Sequence, residues 1–304
     1  MNKAKFLNAI KFNNQKEVQD YIEIAKEYYD IAVITAAEYG NLNALELLHK
    51  NGANIYTRDN DPIKIASKNG HIDIVRYLLE QKADATAGDF CAIRLAAEFN
   101  KPKILELFNQ KIDLTQIKEQ LLFICARYGN IETAEFLLQN KTNIKAQNNH
   151  ALLISLKYNK QEMVKFLIKN GADIHVNNEY PLFQMLDHKN YNIIKFLIEN
   201  GADIKIMDNA ALHTSINNQT NDITKLLIQT GADIYTDNGV LIIILQQQKN
   251  NEILEFLKEE GIYSQPKKIT ITEFIEKIKE NLLILRNNFQ TRQEYKQHMK
   301  IKKQ

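Results

Sequence analysis

The chain has 304 residues, of which 44% are hydrophobic and 25% charged, so it carries enough apolar surface to fold and its composition is not that of a disordered protein. Its two cysteines do not make a disulfide framework, and no apolar stretch reaches the roughly 18 residues of a membrane span. The low glycine and proline content favours helices joined by polar turns, and we expect a cytoplasmic protein.

Charge is distributed unevenly along the chain. Residues 267–304 carry ten Lys/Arg and four Glu, a net charge of +6, which leaves 29 Lys/Arg against 33 Asp/Glu, or −4, in residues 1–266. The basic tail is the only feature that hints at nucleic acid. A solvated terminal helix explains the tail equally well, so we do not expect a nucleic-acid partner.

The first predicted element is a degenerate helix pair at residues 3–25, in which Asn13-Asn14 aligns with the later Asn69-Gly70. Its outer face is polar, as the end of a stack of repeated units requires. Residues 1–29 are therefore predicted to be an N-terminal capping repeat.

A 30-residue repeat organises residues 30–262. Gly-Ala-Asn-Ile begins at Gly52, and Gly-Ala-Asp-Ile returns at Gly171, Gly201 and Gly231, with one step of 29 residues in the copies between them. Each period predicts two short helices and a tight turn. Pro62 suits the first position of its helix, and the Gly after each second helix suits a left-handed cap.

The repeat departs from its pattern at Lys82 and Lys141, which replace the capping Gly, and near Lys111, where the 29-residue step falls. A residue other than Gly in the left-handed region costs about 1–3 kcal/mol. We therefore expect either a rebuilt turn or a strained one at these places.

The repeated residues resemble the ankyrin repeats. Pro181-Leu182-Phe183, Ala211-Leu212-His213 and Asn69-Gly70-His71 are the clearest matches to the motifs of that family. The resemblance implies an all-α solenoid of about nine helix pairs with short finger loops. The 30-residue variant is most similar to ankyrin proteins of large DNA viruses, and less so to those of intracellular bacteria, which would imply a viral protein in the host cytoplasm.

The last predicted element is a helix at 270–289 that caps the final repeat, within an extension at 263–304 that ends in the basic tail. Phe274, Ile278 and Leu282 recur there at helical spacing.

The resemblance implies that proteins bind in a concave groove lined by the residues just before each inner turn. The predicted groove residues are Tyr39, Lys68, Phe99, Arg127, Tyr128, Lys157, Tyr158 and His188, and the finger loops add Tyr56, Arg58, Phe90, His150, Tyr180 and Tyr235. Aromatic and arginine side chains often dominate interface energetics. The alternative is that these rings merely pack over the neighbouring turn.

The sequence contains no motif that points to catalysis, a cofactor or a metal. It has no phosphate-binding glycine loop, no nucleophile elbow and no metal-ligand spacing among its seven histidines. An enzyme would instead need a deep polar pocket with converging titratable groups.

Two functional hypotheses follow. The leading one is a non-enzymatic interaction module that binds a protein, and sequesters or inhibits it. The alternative is an adaptor whose repeats hold a substrate while the C-terminal extension recruits an enzyme such as a ubiquitin ligase.

Overall fold

The computed structural model describes residues 3–263, apart from the side chains of residues 237 and 238. These residues form eighteen α-helices and three short 3₁₀ helices, and they contain no strand. They divide into two compact units, the first ending at Ala172 and the second beginning at Asp173. The prediction of an all-α fold with nine helix pairs is confirmed.

The first unit contains helix pairs 1–6, each with a first and a second helix. In chain order they are α1 (Lys3–Lys11) and α2 (Gln15–Tyr21), α3 (Tyr29–Tyr39) and α4 (Leu42–Lys50), α5 (Thr57–Asn69) and α6 (Ile72–Glu80), α7 (Ala87–Glu98) and α8 (Pro102–Lys111), α9 (Lys118–Tyr128) and α10 (Ile131–Gln139), α11 (Ala146–Lys157) and α12 (Gln161–Lys169). Short 3₁₀ helices at Ile22–Ile24 and Lys26–Tyr28 join pair 1 to pair 2.

The second unit contains pairs 7–9. They are α13 (Val176–Asp187) and α14 (Tyr191–Glu199), α15 (Ile206–Asn217) and α16 (Asn221–Gln229), α17 (Val240–Gln247) and α18 (Asn251–Glu259). A 3₁₀ helix at Thr236–Gly239 precedes α17.

Within each unit, first helices pack on first helices and second helices on second helices, in chain order. The first helices approach closely because small residues such as Ala36, Ala66 and Ala96 lie fully buried between them. On a typical second helix, Ile74 and Leu78 are buried on one face. No pair has a core of its own, so each is stabilised by its neighbours.

The turn after seven of the nine second helices contains a left-handed residue, as at Gly52 (φ +88°) and Gly171 (φ +98°). Lys82 and Lys141 keep this conformation with φ of +66° and +61°, so these turns are strained. After α8 the turn is rebuilt instead, because Ile112 is extended with φ −135° and ψ 137°. Both expected outcomes therefore occur, at different repeats.

The finger loops are short, as predicted, and five of them contain three consecutive left-handed residues. These triplets are Arg58–Asn60, Gly88–Phe90, Gln147–Asn149, Asn177–Glu179 and Met207–Asn209. Left-handed backbone costs roughly 1–2 kcal/mol per residue, least for Asn and Asp, which explains why these two types are frequent there. The triplets were not predicted from the sequence.

Two predictions about the chain ends have different outcomes. Asn13 has a φ of +55° and corresponds to Gly70 (φ +87°), so the alignment of Asn13-Asn14 with Asn69-Gly70 is wrong by one residue. The predicted helix at 270–289 lies outside the described residues, and the domain boundaries at 29/30 and 262/263 stay predictions.

Candidate protein-binding surface

Each inner turn joins the two helices of a pair through a single left-handed residue. These residues are Asn13, Gly40, Gly70, Asn100, Gly129, Asn159, Lys189, Gln219 and Lys249, with φ between +49° and +87°. The two residues before each one end the first helix. We call these residues of pairs 1–6 the inner-turn surface: Lys11 and Phe12, Glu38 and Tyr39, Lys68 and Asn69, Glu98 and Phe99, Arg127 and Tyr128, and Lys157 and Tyr158.

Exposed aromatic rings occupy five of the six turns of this surface. Tyr39, Phe99, Tyr128 and Tyr158 are 37–43% exposed, and Phe12 is 71% exposed. Aromatic side chains are usually buried, at least in part, because their large apolar area favours removal from water. A row of half-exposed rings on one edge of a unit is therefore a candidate contact surface for a partner.

A cation of one helix pair lies over the ring of the next at three places. Lys11 Nζ is 4.9 Å from the centroid of the Tyr39 ring, and Lys68 Nζ is 4.9 Å from that of Phe99. The Arg127 guanidinium lies 5.2 Å from the Tyr158 centroid. Exposed cation–π contacts of this kind contribute about 0.5–1 kcal/mol each, and here they also fix the rings and cations in place.

The part of this surface that belongs to pair 1, Lys11 and Phe12, was not predicted. Lys11 Nζ also lies 5.5 Å from the Phe12 centroid, as Lys157 lies 5.6 Å from that of Tyr158. The error of one residue in the alignment at Asn13 concealed them. The sequence did contain a signal for them. Lys11-Phe12-Asn13 has the same pattern of lysine, aromatic residue and asparagine as Lys157-Tyr158-Asn159.

Two carboxylates, Glu38 and Glu98, lie between the cations. The Glu98 carboxylate acts as a hydrogen-bond acceptor for the Tyr128 hydroxyl in the electrostatics of this turn, which raises the pKa of Tyr128 above its usual value. Tyr128 is thus connected to the preceding pair through its hydroxyl and lies near its own pair's Arg127, whose guanidinium is 5.6 Å from the ring centroid.

The backbone of these turns is held by side chains of the following pair. Asn69 Nδ2 donates to the Glu38 carbonyl at 2.9 Å, and His71 Nε2 lies 2.9 Å from the same oxygen. Asn130 Nδ2 lies 2.8 Å from the carbonyl of Ala97 and 2.7 Å from that of Glu98. The rings are therefore carried on a braced backbone, which reduces the entropy that binding would otherwise remove.

The second unit forms the same turns with different side chains. Its positions are Asp187 and His188, Asn217 and Asn218, and Gln247 and Gln248. His188, the one predicted groove residue in this unit, is exposed. No other aromatic ring occupies these six positions.

Most of the predicted finger residues are engaged within their own unit. The Tyr56 hydroxyl donates to the Gln81 carbonyl, and the Tyr235 hydroxyl donates to the Ile262 carbonyl at 2.5 Å. Tyr180 donates to Gln184 Oε1 at 2.6 Å, and the His150 ring packs edge-on against Phe123. Arg58 is exposed and Phe90 half-buried. The finger residues thus brace the fold more than they extend the inner-turn surface.

Metal ligands, one buried cysteine and one surface depression are the features of residues 3–263 that bear on chemistry. No group of three or more His, Cys, Asp or Glu lies close enough to hold a metal ion in this part of the chain. Burial raises the pKa of the Cys125 thiol, which disfavours the reactive thiolate. An open depression of about 240 Å³ beside Tyr191 contains Lys225, but that lysine is paired with Glu252 at 2.6 Å.

None of the helices in residues 3–263 is both long and apolar enough to span a bilayer.

Comparison with known proteins supports the repeat assignment. The family model described as "Ankyrin repeats (3 copies)" matches three times, at residues 6–89, 93–178 and 179–268. The crystal structure of the human ASB11 ankyrin repeat domain is similar with a TM-score of 0.55 and 21% identity, over 66% of this chain and 98% of that one. This likeness concerns the fold alone.

A mouse protein, protein phosphatase 1 regulatory subunit 27, is 34% identical over 98 residues, which are 29% of this chain and 64% of the relative. The match thus spans less than two thirds of that protein. Because the family matches together span most of the sequence, the chain belongs to the ankyrin-repeat family.

Proposed function

We propose that this protein is a non-enzymatic binding module that captures a protein partner on the inner-turn surface of its first unit, and that it sequesters or inhibits that partner. Ankyrin repeats are protein–protein interaction modules, and membership of the family supports this class of function. The position of the surface is the part of the proposal that rests on this chain's own residues.

One observation carries the proposal: two of the three inner turns of the second unit form the same left-handed turn without a ring before it. Asn218 precedes Gln219 (φ +54°) and Gln248 precedes Lys249 (φ +52°), just as Tyr158 precedes Asn159 (φ +49°). The turn backbone therefore does not need an aromatic side chain. Exposed rings without a structural requirement are typical of binding surfaces, where aromatic and arginine residues supply much of the affinity.

The mouse relative gives weaker support. It is named as a regulatory subunit of a phosphatase, which describes a chain that acts on another protein. We take from it only the class of function, since the identity of its partner does not transfer at this level of coverage.

The proposal is tested by affinity capture from the natural cell followed by quantitative mass spectrometry, using the full chain. A Tyr128→Ala/Tyr158→Ala double variant should lose its specific partner, because two central aromatic contacts contribute about 2 kcal/mol each and their loss weakens binding roughly 1000-fold. The matched control, Asn218→Ala/Gln248→Ala in the second unit, should capture the partner like wild type.

Thermal melts of both variants serve as the folding control. The melting temperature of the aromatic variant should fall by no more than about 5 °C. If that variant still captures the same partner, the binding surface lies elsewhere.

The adaptor hypothesis predicts a second partner that depends on residues 263–304, whose net charge of +6 comes from the ten Lys/Arg and four Glu between 267 and 304. A chain that lacks this segment would then fail to capture one protein and still capture another.

The cytoplasmic location and the viral origin of the protein stay predictions.

A further inference from the structure

The charges on and beside the inner-turn surface are strongly unbalanced towards cations. Lys101 and Lys160 join the four cations of the surface itself, because each reaches over the turn of the preceding pair. A Cβ placed on Gly70 would lie 3.3 Å from Lys101 Nζ, and one on Gly129 would lie 3.4 Å from Lys160 Cδ. Six cations thus face two carboxylates, Glu38 and Glu98, a net charge of +4.

These cations have no carboxylate partner. None of Lys11, Lys68, Lys101, Arg127, Lys157 and Lys160 forms an ion pair with another described residue, whereas some cations elsewhere in the described residues do. Arg94 is 2.7 Å from Asp89, and Lys165 is 2.9 Å from Glu162. Lys11, Lys68, Arg127 and Lys157 contact rings instead, and Lys101 and Lys160 lie over the glycine turns. The charge of all six is therefore available to an incoming anion.

The cations form three groups, at successive intervals of two helix pairs. Lys11 belongs to pair 1, and Lys101 lies over the turn of pair 3, which contains Lys68. Lys160 lies over the turn of pair 5, which contains Arg127, and Lys157 of pair 6 joins this third group because it lies 5.6 Å from the centroid of the Tyr158 ring that Arg127 also contacts. Glu38 and Glu98 occupy pairs 2 and 4. Neighbouring helices pack about 8–10 Å apart, so successive cation groups are roughly 16–20 Å apart.

We infer that the inner-turn surface binds an extended acidic segment of the partner, whose carboxylates fall in groups five or six residues apart. An extended chain advances about 3.3 Å per residue, so five or six residues span the distance between cation groups. This inference rests on the proposed function, because it describes the partner of the same surface.

Single-stranded nucleic acid fits this surface less well, although it also needs cations and rings. A cation of the preceding helix pair already lies over one face of each of the rings of Tyr39, Phe99 and Tyr158, which leaves less ring surface to stack on bases. Glu38 and Glu98 would also face a phosphate backbone. The chain's own C-terminal tail is not expected to occupy this surface, because the tail and the surface are both positively charged.

The test measures fluorescence anisotropy with the full chain and three labelled 18-residue peptides of Ser and Gly. One peptide carries pairs of Glu at a six-residue spacing, the second carries the same six Glu in one block, and the third has Gln in place of Glu. Each exposed ion pair changes affinity roughly two- to fivefold. The patterned peptide should bind about tenfold more tightly than the block, and the Gln peptide should not bind measurably.

Variants locate the binding. Arg127→Gln/Lys160→Gln should weaken binding of the patterned peptide roughly tenfold, and Arg127→Lys should retain most of the affinity. The matched control is Lys103→Gln/Lys169→Gln, which removes two exposed lysines from α8 and α12 and should have no effect. The basic tail is present in all variants, so it cannot cause a difference in affinity between them. It also has no reason to bind the patterned peptide more tightly than the block peptide.

Equal affinity for the patterned and block peptides would overturn the inference, as would equal weakening by the control variant. Tighter binding of a labelled twelve-residue thymidine oligonucleotide would overturn it in favour of nucleic acid. If no acidic peptide binds but Tyr128→Ala/Tyr158→Ala still abolishes protein capture, the inference fails while the proposed function stands.

Discussion

In the first unit, five of six inner turns carry an exposed aromatic ring, whereas the three turns of the second unit carry His188, Asn218 and Gln248 at the same position. The backbone is nevertheless the same, with one left-handed residue in every turn. This difference shows that the conformation of the turn does not depend on which side chain precedes the left-handed residue. Side chains at that position are consequently free to serve binding.

The two units also differ in whether their inner turns contain glycine. Three turns of the first unit contain Gly, at Gly40, Gly70 and Gly129, and each is covered by a side chain of the following pair. The second unit uses Lys189, Gln219 and Lys249 instead. A neighbouring side chain leaves little room for a Cβ at Gly40 and Gly70, whereas the nearest atom at Gly129 is 3.4 Å away. The left-handed conformation alone does not require Gly, because residues with a Cβ adopt it in the other turns.

The largest effect should come from Gly40→Ala. A Cβ there would lie 2.7 Å from His71 Nδ1 in a turn with φ +76°, so the change adds backbone strain and displaces a hydrogen-bonded ring. We expect a loss of about 2–3 kcal/mol in the free energy of unfolding, measured by urea titration.

The matched change in the second unit, Lys249→Ala, should alter stability by less than about 0.5 kcal/mol, because a residue with a Cβ already holds that conformation. If Lys249→Ala is as damaging as Gly40→Ala, the two sets of turns do not differ in the way described.

A smaller effect is expected when the rings are replaced by the residues of the second unit. Tyr128→Asn/Tyr158→Gln removes cation–π contacts with Arg127 and Lys157 and the hydrogen bond to Glu98. All are exposed, so we expect a loss of only about 1–2 kcal/mol in urea unfolding. A loss of 4 kcal/mol or more, typical of large truncations in a core, would instead make the rings structural.

The repeat, its period and the helix pairs could be predicted because Gly, small buried residues such as Ala66 and apolar faces such as Ile74 and Leu78 have strong local signals. The surface was predicted in part, since Tyr39, Phe99, Tyr128 and Tyr158 share one register. What the sequence did not reveal depends on contacts between pairs. The position of Lys68 over Phe99 and that of Lys101 above Gly70 follow from packing.

The smallest effect should be the pH dependence of the second unit. A hydrogen bond from His175 to Glu179 raises the pKa of His175, and the nearby Asp173 and Asp203 act in the same direction. A raised folded-state pKa stabilises the fold below the unfolded value of about 6.5, and this contribution is lost as the pH rises through the folded value.

The unfolding free energy should therefore decline with rising pH more steeply in wild type than in His175→Gln, while Tyr128→Asn/Tyr158→Gln in the first unit should leave the slope unchanged. Identical slopes in wild type and His175→Gln would show that this histidine makes no such contribution.

The claim that only the first unit's inner turns contact the partner is tested most directly by photo-crosslinking in the natural cell. A photoreactive phenylalanine analogue would be placed at Tyr39, Phe99 or Tyr158 and, for comparison, at Asn218 or Gln248. We expect the same protein adduct from the three positions in the first unit and none from the two in the second. Equal adducts from Asn218 or Gln248, or capture of the partner without adducts at any of the three, would contradict the account.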